Sequence, residues 1–182
     1  GSVVTKAGAR GLAAGSGATC KEDAGGGGRQ GVAAPQPQRI GEFDAIQDLM
    51  ADGYVVVCAG GGGVPVIEEA DGYHGVAAVI DKDRSSAKLA AAFEADMLVI
   101  LTAVEKVAIN YNTPDQEEID VMDVAQAEEY IAQGQFAPGS MLPKVEACIA
   151  YVRAYPEGRA LITSLDAAAA GLKGETGTLI VA

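Results

Sequence analysis

Lysine is a poor choice for the first turn of a helix, because its charge meets the positive end of the helix dipole. This chain places one there twice, Lys82 in VIDKDRSS and Lys144 in FAPGSMLPK. A cation held against the dipole gains most when an anion joins it. Two such lysines on separate loops form the kind of clamp that stabilises charge on a transferring phosphoryl group. A third stretch, CAGGGGVPVIEE, carries four consecutive glycines, Gly60, Gly61, Gly62 and Gly63. That much bare backbone serves either a flexible turn or a ligand pressed against main-chain N–H groups. Asp81 and Asp83 flank Lys82, and an acid at that point is also an ordinary N-cap. Glycine-rich backbone, hydroxyls and a lysine near a helix start together compose a nest for polyanionic phosphate.

Elements of two periods must hold these residues. EFDAIQDLMADG has apolar residues at Phe43, Ile46, Leu49 and Met50, which is helical spacing, and Gly53 ends it. YVVVCA, residues 54–59, reads as a buried strand of β-branched residues. The spacing predicts helices over 81–95, 124–133, 143–155 and 165–172, with Pro143 in a first turn where its missing N–H costs nothing. Strands are predicted over 97–102, 159–164 and in the closing TLIVA. Near-continuous apolar strands separated by helices describe a mostly parallel sheet covered on both faces, so the expected fold is a three-layer αβα sandwich of the α/β class. In such sheets ligands bind beyond the carboxyl ends of the strands. That rule selects the Gly60 to Gly63 loop, Thr102 with Ala103 and Val104, Thr163 with Ser164, and the FAPGSMLPK loop.

Composition bounds the partners. With 182 residues, 49% of them hydrophobic and 21% charged, the chain can bury a proper core. A net charge of −12 and a pI near 4.4 argue against duplex nucleic acid and anionic membrane as partners, since both are bound through basic surface. No window is apolar over the length a membrane span needs, and the first residues lack the order of a secretory signal, so the expected location is cytoplasmic. Cys20, Cys58 and Cys148 are widely spaced and read as core residues or free thiols. His74, in DGYHG, reads as part of a turn without a metal. Residues 1–40 are rich in Gly, Ala, Ser, Pro and Gln and are expected to be irregular, leaving 41–182 as the α/β domain. Gly1-Ser2 resembles the scar of a cleaved tag.

The motifs GGGGVPV, VIDKD, LTAVEKVAINYNTP, GQFAPGSMLPKVEA, ALITSL and GTLIV occur in the order and spacing of carbamate kinases of the amino acid kinase family, which the chain resembles from about Lys21 onward. The resemblance implies an amino acid kinase-like fold and reversible phosphoryl transfer between ATP and carbamate, run mainly from ADP and carbamoyl phosphate toward ATP in arginine fermentation. Carried over residue by residue, it implies that Lys82 and Lys144 contact the transferred phosphate and that Asp83 positions them. It places Gly60 to Gly63 beside the phosphates, Thr102, Ala103, Asn110 and Tyr111 along the nucleoside, and Ser140 and Met141 within the nucleotide site. Mg²⁺ would be held chiefly by the phosphates, and the assembly would be a homodimer.

The chain also departs from that pattern. Nothing in residues 1–20 resembles the Gly-Gly-Asn phosphate loop that opens a complete carbamate kinase, so the resemblance is to the C-terminal, nucleotide-holding part. Gly26 and Gly28 stand where the family carries an arginine and an aromatic, Gln36 where it carries a basic residue, and Gln135 where it often has a histidine. These losses fall on the carbamate end of the site. Three readings stay open: a partial carbamate kinase, a short nucleotide-binding or regulatory relative without kinase activity, and another amino acid kinase with a different acceptor.

Overall fold

The computed structural model describes residues 3–4, 20–22, 28–30 and 32–182, grouped into two compact units. One unit comprises 1–36 and 64–80. Its described strands β1 (Val3–Val4), β2 (Cys20–Glu22) and β3 (Gly28–Gln30) form an antiparallel sheet in the order β1-β3-β2. Strands β4 (Val66–Glu69) and β5 (Gly72–Gly75) make a hairpin in which Ile67 faces His74 across the ladder. His74 therefore lies in a strand, and its Nε2 is 2.8 Å from Asp71 Oδ1. Most of the segment expected to be irregular, 1–40, lies outside the described residues.

The second unit comprises 37–63 and 81–182. It is built on β6 (Met97–Thr102), β9 (Val121–Asp123), β10 (Arg159–Ser164) and β11 (Thr178–Val181), in the order β6-β10-β11-β9. Two of the three pairings are parallel, β6 with β10 and β11 with β9, and β10 with β11 is antiparallel. The sheet is thus mostly parallel, and the fold is of the α/β class. Two further three-residue strands, β7 (Val107–Ile109) and β8 (Glu117–Ile119), form a separate antiparallel ribbon.

Helices cover the sheet because every central strand is apolar on both faces. Ala160 and Ile162 of β10, Leu98 and Ile100 of β6 and Ile180 of β11 enter one core. They meet Ala87 and Ala90 of α2 (Lys82–Ala92), Ala127 of α3 (Val124–Ala132), and Val145, Cys148, Tyr151 and Val152 of α4 (Met141–Ala154). Leu161 and Thr163 alternate to the opposite face, where the short α5 (Ala168–Leu172) approaches so closely that a Cβ on Gly171 would lie 3.1 Å from Leu161 Cδ2. Each fully buried aliphatic contributes about 1.5–3 kcal/mol. The Tyr151 hydroxyl donates to the Ala95 carbonyl, joining α4 to the turn before β6.

Helix starts follow their caps. Asp81 Oδ1 accepts from Asp83 N at 2.8 Å and opens α2. Asp123 and Gln126 form a reciprocal capping box on α3, each side chain accepting from the other's backbone N–H. An earlier helix, α1 (Phe43–Ala51), ends at Gly53 with φ +86°, and its Phe43 ring stacks on Phe93 at 4.6 Å between centroids. The helix expected from Pro143 begins two residues sooner, at Met141.

The structure corrects one element. Residues 54–59, expected as a buried strand, form no strand and make no ladder among the described residues, and Val55 and Val57 are each 95% exposed. An apolar run fixes what a segment favours, but burial also requires a neighbouring strand, and no described residue supplies one.

Candidate functional site

The first turn of α2 and the first turn of α4 meet at Asp83. Its Oδ2 accepts from Lys144 Nζ at 3.0 Å and lies 3.5 Å from Lys82 Nζ. Asp83 is 6% exposed, and the Lys144 side chain is 11% exposed, whereas that of Lys82 is 56% exposed. A buried carboxylate of this kind is stable only when paired. Lys144 is the inner partner and Lys82 the outer one, free to reach solvent on one side. Two ammonium groups surround the Asp83 carboxylate, and the Asp81 carboxylate caps α2 beside them, in a chain whose net charge is −12.

The glycine loop arrives at the same place. Ser85 Oγ, fully buried two residues beyond Asp83, donates to the Gly62 carbonyl at 2.6 Å. That bond ties the loop to α2. Within the loop, Gly60 N donates to Cys58 O at 2.7 Å and Gly62 N to Ala59 O at 2.8 Å. The N–H groups of Gly61 and Gly63 make no backbone hydrogen bond among the described residues, so two of the four amides remain for an anion. Gly60, Gly62 and Gly63 have φ of +48°, +138° and +90°, conformations that other residues adopt at a cost.

Ser140 is the N-cap of α4 and Met141 its first residue, one turn before Lys144. The Ser140 side chain makes no capping bond, which leaves the start of that helix without a side-chain acceptor. Thr102 lies at the carboxyl end of β6, in register with Ser164 at the end of β10, and Ala103 follows it. One turn along α4, the Cys148 thiol is raised well above its ordinary pKa, first by burial and then by the charge of Asp83, with Lys144 opposing. It is an inert core thiol.

Asn110 and Tyr111 belong to a second cluster. They begin the turn joining β7 to β8, and among the described residues no hydrogen bond or ion pair links them to Asp83 or its lysines. Asn110 has φ +50°, and its N–H donates to Gln135 Oε1 at 2.8 Å. Ser85 is a structural member that sequence reasoning missed, and Gln135, noted there only as a departure from the family's pattern at the carbamate end, is the residue that accepts from Asn110. A serine in a helical first turn reads as surface or cap, and a glutamine after a helix as solvated, so neither carries a local signal.

The family model described as the amino acid kinase family matches residues 6–163. Over 181 residues the chain is 49% identical to carbamate kinase of Clostridium perfringens, a match covering 100% of this chain and 58% of that protein. It is 50% identical over 164 residues to the carbamate kinase-like protein YqeA of Escherichia coli, covering 90% of this chain and 53% of that one. Among solved structures, the carbamate kinase from Giardia lamblia bound to AMP-PNP aligns with a TM-score of 0.88 at 38% identity, over 100% of this chain and 57% of that one. The chain spans somewhat more than half the length of these relatives.

Proposed function

Because the chain belongs to the amino acid kinase family, we propose that it carries the nucleotide and phosphoryl-transfer side of a carbamate kinase, moving phosphate reversibly between ATP and carbamate. The observation that carries this reading is the Asp83 carboxylate holding Lys144 and Lys82 beside a glycine loop with two uncommitted amides. Asp83 fixes the inner lysine, so the ammonium is in place before substrate arrives and no reorganisation is required as charge develops. Lys82, more exposed, closes on the phosphoryl group from the other side. Transfer then needs only in-line placement of donor and acceptor oxygens, with the lysines and loop amides taking up charge on the equatorial oxygens. Asp81 caps α2 and Asp83 is occupied by lysines, so an accompanying Mg²⁺ fits on the nucleotide's phosphates rather than on a carboxylate pair.

In this reading Thr102, Ala103, Asn110 and Tyr111 border the nucleoside, Ser140 and Met141 the phosphate end, and the complete enzyme is a cytoplasmic homodimer that forms ATP from carbamoyl phosphate. The test has two stages. ADP or ATP with Mg²⁺ at millimolar concentration raises the melting temperature of this chain, as ligand linkage requires. Carbamoyl-phosphate-dependent ATP formation is then measured on this chain and on a form extended to the relatives' full length. Activity is expected in the extended form and not in the chain alone. A second reading, a nucleotide-binding module without catalysis, draws on the open 54–59 segment that leads into the glycine loop. It predicts the thermal shift in both forms and turnover in neither.

A further inference from the structure

We propose that Gln135 is a positioning residue that braces the β7–β8 turn as a platform for the nucleoside. The inference rests on the nucleotide reading above and adds to it the device that shapes the nucleoside end. Helix α3 ends in a Schellman motif: Gly134, at φ +72°, donates its N–H to Ile131 O at 2.9 Å, and Gln135 N donates to Tyr130 O at 3.0 Å. The residue after the left-handed glycine in this motif is commonly apolar and folds back on the helix. Here it is a glutamine whose side chain turns to another element. Its Oε1 accepts from Asn110 N at 2.8 Å, and its Nε2 lies 3.4 Å from Asn110 Oδ1. Phe136, next in the chain, is buried edge-on against Tyr130, which fixes the base of the brace.

The turn gains its shape from that contact. Asn110 and Asn112 both have left-handed backbone, with φ of +50° and +61°. Thr113 Oγ1 donates to Asn110 O at 2.7 Å and Asn112 N donates to Gln116 Oε1 at 2.9 Å, so the turn knits itself internally. Among the described residues, the side-chain hydrogen bonds reaching it from outside come from Gln135. The turn then presents Tyr111, with 61% of its surface exposed, beside the amide of Asn110. An aromatic face next to a carboxamide suits a flat heterocycle with polar edges, as in a purine nucleoside.

The experiment compares dissociation constants for Mg-ADP and for inorganic tripolyphosphate by calorimetry, together with hydrogen exchange at Asn110 N–H. Gln135→Ala is expected to speed that exchange and weaken ADP on the order of tenfold, while tripolyphosphate, which lacks a nucleoside, is unchanged. Gln135→Glu keeps the acceptor for Asn110 N–H and is expected to restore most of the ADP affinity. Equal weakening of both ligands, or ADP binding indifferent to Gln135→Ala, overturns the brace while leaving the nucleotide reading intact. Wild-type protein that binds neither ligand overturns the nucleotide reading, and this inference falls with it.

Discussion

At the scale of single residues, Lys144 and Asp83 are expected to fail in different ways. On the proposed mechanism, in a form with full-length activity, Lys144→Met removes a charge needed most in the transition state. Turnover should drop by about 100-fold or more, on the order of 3 kcal/mol, with nucleotide affinity changed far less. Steady-state kinetics in both directions check it, and a turnover within about twofold of wild type, the scale of a surface ion pair, removes Lys144 from the mechanism. Asp83→Asn instead leaves the buried Lys144 ammonium without its counter-charge. Breaking a buried pair from one side costs about 3–5 kcal/mol, so this variant should lose stability even without ligand, as read by urea unfolding. The lysines were visible in the sequence because each opposes a helix dipole. Their meeting at Asp83 was implied only by the family resemblance: Asp83 and Lys144 are 61 residues apart, and nothing in local spacing encodes a contact between two helix starts.

At the scale of elements, α4 is pinned near its far end by Tyr151, whose hydroxyl donates to the Ala95 carbonyl. Burial raises the Tyr151 pKa, so the folded state holds the proton more tightly than the unfolded chain does. The stability from this group is complete below the unfolded value of about 10 and declines as pH rises through the higher folded value. Wild type should therefore lose stability between about pH 9.5 and 11 more steeply than Tyr151→Phe, in urea titrations run at both ends of that window. Gly158 is the steric partner of this arrangement: a Cβ there would stand 2.1 Å from the Tyr151 hydroxyl and 2.8 Å from the Tyr155 ring. Gly158→Ala should cost about 1–3 kcal/mol through overpacking, and a neutral effect on the urea midpoint refutes that. Strands β6 and β10 were legible to the residue, because an unbroken apolar run between two helices has few alternatives. The three-residue β7, β8 and β9 were not, since EEI and VMD show neither alternation nor length.

At the scale of the molecule, the sequence read residues 54–59 by the same rule that succeeded for β6, and there the rule met its limit. Val55 and Val57 have the composition of a buried strand and the exposure of a loop. An uncovered apolar segment of β-branched residues is a template for pairing with another chain. The chain on its own should therefore self-associate as concentration rises, and the pair Val55→Thr with Val57→Lys should suppress this in light scattering. Unchanged association would place the contact elsewhere. The opposite condition holds at Cys148, one turn from Lys144 in the most enclosed part of the core. A thiol with no path to solvent can be alkylated only during the moments when α4 lifts from the sheet. Its labelling rate, followed by mass spectrometry in the native state, is thus a clock on how often the helix that carries Lys144 comes loose. A nucleotide seated at that helix start should slow the clock in proportion to its occupancy, so the same sulfur that takes no part in the chemistry can report whether the site is filled.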